Sequence, residues 1–134
     1  AAMLRVKLRY IDEWNARRRA VAARYNEALA DLDGLVTPVE ADYARHVYHQ
    51  YTVRVKRGRR DALRRRLTEA GIGTMVYYPV PVHRLPVYAW PEGSLPRAEA
   101  AAAEVLSLPM SPFLPPDAQD EVVRHIKDLL SNIT

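Results

Sequence analysis

No cysteine occurs in the 134 residues. That excludes a disulfide framework, a thiolate zinc site and a cysteine nucleophile, and makes a reducing compartment, the cytoplasm, the natural expectation. Lysine is scarce as well: Lys7, Lys56 and Lys127 stand against 17 arginines. A catalytic lysine needs burial or a cationic neighbour to lower its pKa. These three fall on an amphipathic helix pattern, at a strand end and on a polar helix face, so all three read as surface residues. No apolar run approaches the roughly 18 to 20 residues that span a bilayer, and the opening AAMLRVKLRY carries charges where a signal peptide needs its apolar segment. A Gly-rich phosphate loop, a Gly-x-Ser-x-Gly elbow and a paired-carboxylate motif are all missing. The chain therefore lacks a self-contained catalytic set.

What is present describes one globular domain over residues 1–134, with 49% apolar and 27% charged residues, a mixture that can bury a core. The net charge of +4 is uneven. Residues 1–70 hold 16 basic and 9 acidic side chains, and residues 71–134 hold 4 and 7. The basic half is concentrated in Arg17-Arg18-Arg19 and in Arg57, Arg59, Arg60, Arg64, Arg65 and Arg66. The second group reads as a solvated helix face.

Leu4, Leu8, Ile11, Trp14, Val21, Tyr25, Leu29 and Leu32 recur at steps of three, four or seven, which predicts one long helix over residues 1–33 with Gly34 as its left-handed cap. Its uncapped start and its length, roughly 45 Å at 1.5 Å per residue, suggest a piece of a larger protein. Tyr51, Val53 and Val55 alternate with polar residues, as in a half-buried strand. Leu63 and Leu67, followed by Gly71, predict a short capped helix, and Ile72 to Tyr78 reads as a strand stopped by Pro79. Nine of the ten prolines lie between Pro79 and Pro116, so that segment is stiff without being helical. A helix from Pro96 to about Val105, a short strand at Leu106-Ser107-Leu108 and a last helix from Pro116 complete the order. The expected fold is a two-layer α/β (α+β) arrangement: a long first helix, then over residues 34–134 a small antiparallel or mixed sheet covered by helices.

Two places could carry chemistry. His46 and His49, three apart, could ligate a metal with His83 on a helix, but on a strand the spacing puts them on opposite faces. With no acidic residue beside them no metal is expected, and they are either pocket residues or structural ones. The second place is Tyr77-Tyr78-Pro79-Val80-Pro81-Val82-His83, where two phenols and an imidazole sit at a strand end that passes into a proline-stiffened turn. Such backbone aims side chains at low entropy cost, though one tyrosine could equally pack in the core while the other covers an edge.

The string from Gly71 through Tyr77-Tyr78-Pro79-Val80-Pro81-Val82-His83 to Tyr88 resembles the signature of the DegT/StrS-type sugar aminotransferases. Arg5 to Tyr25, His46-Val47-Tyr48-His49 and AAEVLSLP from Ala102 to Pro109 are similar to further blocks of that family, in the same order. The resemblance implies the small C-terminal domain of a fold-type I aminotransferase. Such an enzyme uses pyridoxal phosphate to move an amino group from an amino acid, glutamate by expectation, to a nucleotide-linked keto-sugar. It implies a homodimer whose sites draw on both subunits. It also implies that the Schiff-base lysine, in a Ser-Phe-x-x-x-Lys context, lies upstream, so no catalytic residue is assigned here and this chain alone is expected to be inactive and not to hold the cofactor covalently. Tyr77 and Tyr78, and His83 with less support, would line the substrate pocket. Because Tyr77 stands where the family often has His, binding is favoured over proton transfer: an ordinary phenol titrates near ~10 and an imidazole near ~6.5.

Two readings from other classes compete. A basic nucleic-acid-binding module would use Arg57 to Arg66 on phosphates and the tyrosines for stacking, but it leaves the proline-rich string and the acidic second half unexplained. A non-catalytic interaction domain would only dimerise. The expected partners are thus a nucleotide-sugar and an amino-acid donor, with neither nucleic acid nor membrane.

Overall fold

The computed structural model describes residues 1–131. Three strands form one antiparallel sheet in the order β1-β2-β3: β1 (Leu35–Val36), β2 (Tyr51–Val55) and β3 (Val105–Leu108). Leu35 sits opposite Val55, Tyr51 opposite Leu108 and Val53 opposite Leu106. Alternation along β2 sends Tyr51, Val53 and Val55 into the core, as the two-residue period of a strand requires. They meet Tyr25 and Leu29 of α2 (Ile11–Ala28), Leu63 and Leu67 of α3 (Arg60–Glu69), and Val122 and Ile126 of α5 (Pro116–Ser131). On the other face Thr52 and Ser107 share a hydroxyl hydrogen bond of 2.8 Å. The fold class is the expected helix-plus-small-sheet arrangement.

The expected single helix over residues 1–33 is two. α1 (Ala2–Leu8) ends where the amides of Arg9 and Tyr10 bond three residues back, to Val6 and Lys7, and α2 starts at Ile11. Periodicity gives no sign of this break, because no glycine or proline marks it. Helix continuity over such a length comes from packing, and within this chain α1 buries nothing: Met3, Leu4, Val6 and Leu8 are all exposed. Gly34 is not the cap either. The left-handed residue after α2 is Asp31 (φ 59°), while Gly34 (φ 81°) turns the chain into β1, where its carbonyl accepts the Lys56 amide at 2.8 Å.

Gly71 does cap α3. Its φ of 75° lets the Ile72 amide reach the Leu67 carbonyl at 2.8 Å and its own amide reach Thr68 at 3.0 Å, the paired bonds of a Schellman ending. The strand expected from Ile72 to Tyr78 reduces to one bridge, Met75 against Ser107, with reciprocal bonds of 3.1 and 2.7 Å. The strand read from Tyr51, Val53 and Val55 starts at Tyr51, three residues after Tyr48 takes a positive φ of 47°.

Two buried phenols lock α2 to the sheet. Tyr25 and Tyr51 stack at 4.9 Å. Tyr25 donates to the Pro109 carbonyl at 3.1 Å and Tyr51 to Asn26 Oδ1 at 2.5 Å. Burial raises the pKa of both. Gln119, also buried, donates to the Val21 carbonyl at 2.8 Å and joins α5 to α2.

Candidate substrate-binding site

Beyond the Met75 bridge the chain runs as a strap, residues 76–82, into a single 3-10 turn at Val82–Arg84. Val76 is buried and anchors the strap, whereas Tyr77 and Tyr78 stand 42% and 74% exposed. Their peptide bond is cis and their rings lie edge to face at 5.8 Å. Facing the strap is α4 (Pro96–Glu104), which starts on Pro96 at its first position, where a missing amide costs nothing. Between them lies a groove of about 770 Å³, walled by Tyr77, Tyr78 and Val80 on one side and Leu95, Ala98 and Ala101 on the other. His83 is the one titratable side chain besides the phenols along it. Such a wall is largely apolar, and its hydroxyls can donate to a sugar or phosphate oxygen without a further charge to desolvate.

Tyr77 also borders a second, more polar recess of about 390 Å³, with His49, Gln50, Thr74 and Ser107. Thr74 Oγ1 is buried there with no hydrogen-bond partner among the described residues. His49 is exposed and reaches a third recess as well. His46 is tied into its own loop: its Nδ1 accepts the Tyr48 amide at 2.9 Å and its ring leans on Tyr48 at 4.2 Å. Its amide donates to Glu40 at 2.9 Å, and Arg19 reaches both Glu40 and the His46 carbonyl at 2.7 Å. The Arg19 hydrogen bond, followed by the His46 amide, lowers the Glu40 pKa. Among the described residues no three His, Asp or Glu side chains converge as a metal site would need.

His83 is buried, and its Nε2 lies 2.8 Å from Glu99 Oε1 on α4. Glu99 also accepts the Gly93 amide on both oxygens, at 3.0 and 2.9 Å. The His83 bond first, and the Gly93 amide second, lower the Glu99 pKa. Sequence reasoning missed Glu99; one signal was available, a carboxylate in the first turn of an alanine-rich helix that starts on proline. It also misplaced Arg60. That side chain is not on a solvated face but buried at the end of α4, where it donates to the carbonyls of Ala102 and Val105 at 3.2 Å each and to Asp61 at 2.6 Å. Carbonyls at a helix C-terminus lack intrahelical donors, which is why a cation is stable there.

A pyridoxal phosphate held by this chain would need a free lysine facing a groove. Lys56 is tied to Glu104 at 2.7 Å, Lys7 and Lys127 are exposed on helices, and none borders the groove. The residues here do not fit a covalent hold on that cofactor.

A model of the DegT/DnrJ/EryC1/StrS aminotransferase family matches residues 1–127. The chain belongs to that family. Among its curated relatives, the dTDP-3-amino-3,4,6-trideoxy-alpha-D-glucose transaminase of Streptomyces venezuelae is 52% identical over 117 residues, 85% of this chain and 30% of that protein. The erythromycin biosynthesis sensory transduction protein EryC1 of Saccharopolyspora erythraea is 45% identical over 130 residues, 95% of this chain and 35% of its own length. The crystal structure of S. venezuelae DesV in complex with a ketimine intermediate superposes with a TM-score of 0.93 at 45% identity, over 99% of this chain and 36% of that one. This member of the DegT/DnrJ/EryC1/StrS family thus spans about a third of the length of the curated relatives it matches. Among its described residues no helix is long and apolar enough to cross a membrane.

Proposed function

We propose that this chain works as the small C-terminal domain of a pyridoxal-phosphate-dependent aminotransferase that moves an amino group from an amino acid, glutamate in the first instance, to a nucleotide-linked keto-sugar. The observation that carries this reading is the pair of exposed phenols on a proline-stiffened strap at the rim of an apolar groove. Support comes from the transaminase names of its relatives and from the match to DesV.

In this reading the cofactor supplies the electron sink for amino transfer, and residues beyond this chain hold it. This chain's part is binding. Tyr77 and Tyr78 donate to sugar or diphosphate oxygens, Val80 and Ala101 keep water from the wall, and the ring edge of His83 closes the end of the groove. Proton transfer is assigned to residues beyond this chain. The working unit is a homodimer acting in the cytoplasm, and the exposed apolar side of α1 is a surface for the remainder of that assembly.

The test is a transamination assay with pyridoxal phosphate, glutamate and dTDP-linked keto-hexoses, run on the full-length reading frame that contains this chain and on the 134 residues alone. Turnover by the former and none by the latter is expected. Turnover by the 134 residues would overturn the assignment of the cofactor lysine to another segment, and an inert full-length protein across the keto-sugar panel would overturn the activity itself.

A further inference from the structure

Tyr77 and Tyr78 are too exposed to be held by their own packing, so something else must fix them if they are to read a substrate. The strap that carries them is anchored at one end by the Met75–Ser107 bridge. At the other end it leads through Pro79 and Pro81 to His83, with Pro81 and Leu85 both at φ −63°, ψ 145°, an extended geometry that proline rigidifies. His83 is the point where that end meets α4, through Glu99. Glu99 has Ala98 as its chain neighbour and Ala102 one turn later, and both line the groove.

The loop between the partners is a closed unit as well. The Trp90 amide donates to the His83 carbonyl at 3.0 Å, Arg84 donates to the Trp90 carbonyl at 2.9 Å, and the Gly93 amide ends on the Glu99 carboxylate. One carboxylate therefore joins strap, loop and helix at the His83 end of the groove. The geometry points to His83 and Glu99 as a positioning pair that sets the spacing between the tyrosine strap and α4, and through it the affinity for the sugar substrate. The pair rests on the functional reading above only for its effect on substrate; the tie itself is a property of this chain.

Reach separates this role from a merely electrostatic one. Glu99→Asp keeps the charge but is one methylene short of holding His83 and Gly93 together. Glu99→Gln keeps the reach and loses the charge, and its amide can still accept from Gly93 and bond the imidazole. In the active full-length enzyme, Glu99→Asp is expected to raise KM for the nucleotide-sugar about tenfold, with KM for the amino donor unchanged, since small misplacements of a binding wall are costly. Glu99→Gln stays within about twofold on the same ground. Independently, amide hydrogen exchange on the 134-residue chain should quicken about tenfold at Trp90 and Gly93 in Glu99→Asp, and not in Glu99→Gln or in β2 of either variant, because the opening is local.

An unchanged sugar KM in Glu99→Asp, or unchanged exchange at Trp90 and Gly93, overturns the positioning pair. An inactive wild-type full-length enzyme overturns the functional reading instead, and the exchange result then decides the tie by itself.

Discussion

Arg60→Ala is the substitution that tests the packing most directly. As one of six arginines in a basic run, a solvated Arg60 would change stability by no more than ~0.5 kcal/mol on removal, the usual range for surface positions. The structure places its side chain at 10% exposure, with one terminal nitrogen on two carbonyls at the end of α4 and Nε on Asp61. Hydrogen bonds from a charged donor contribute roughly 1.5–3 kcal/mol each, and a buried acceptor left alone costs roughly 1–3 kcal/mol. Both Ala102 and Val105 bonds are long at 3.2 Å, which argues for the lower end of each range. A loss of about 3 kcal/mol follows, taking the carbonyl bonds and the lost packing of the aliphatic stem together.

Urea unfolding followed by circular dichroism measures it against Arg64→Ala on the exposed face of the same helix. With a urea slope of roughly 1–3 kcal/mol/M for a small protein, the midpoint of Arg60→Ala should fall by about 1–3 M while that of Arg64→Ala stays near wild type. Equal midpoints for the two variants would refute the burial argument and return Arg60 to the solvated run.

Tyr25 and Tyr51 should give the protein an alkaline limb. Their folded pKa values are raised by burial, so the unfolded chain releases its phenolic protons first and stability, complete below about pH 10, declines as pH rises beyond it; unfolding midpoints between pH 9 and 11 should decline less in Tyr51→Phe. An acid limb has the opposite sign. Glu40, Glu99 and Glu104 are lowered below 4.5 chiefly by hydrogen bonds from Arg19, His83 and Lys56, so their contribution is present above pH 4.5 and is lost as pH falls through the folded values. A Glu104→Gln variant with an unaltered acid midpoint would remove that carboxylate from the account. Finally, Tyr77→Phe in the full-length enzyme should weaken keto-sugar binding by about 1 kcal/mol, the net value of one hydrogen bond, read as a several-fold rise in KM; unchanged kinetics would take Tyr77 out of the pocket.

The core was legible residue by residue because burial there follows period. Tyr51, Val53 and Val55 by twos, and Leu63 with Leu67 or Val122 with Ile126 by fours, are the positions found buried. Where the outcome depended on partners, period failed. Leu4 and Leu8 keep the helical spacing yet are exposed, since none of the described residues covers α1. Ile72 to Tyr78 has strand composition, but it makes only one bridge, Met75 with Ser107. Tyr77 and Tyr78 could be named as candidates from the string itself, whereas Arg60 and Glu99 could not. Arg60 and Glu99 are charged residues on helices, a type that is solvated far more often than not, and only tertiary geometry shows that one is buried and the other bonded to His83 at the end of the groove.

These two residues also explain how the groove can be apolar and still have a fixed width. α4 contributes little to the apolar core, in which Tyr25, Leu63 and Ile126 hold α2, α3 and α5 on the sheet. It is secured instead by three polar ties: Arg60 to its last carbonyls, Glu104 to Arg54 and Lys56 at 2.8 and 2.7 Å, and Glu99 to His83. Its small alanines, Ala98 and Ala101, are thereby left to face the strap. Holding the helix through apolar packing would have required large side chains on it, and the groove would have lost volume to them. Directional bonds at the two ends and along one edge of α4 fix its distance from the strap without occupying the space between.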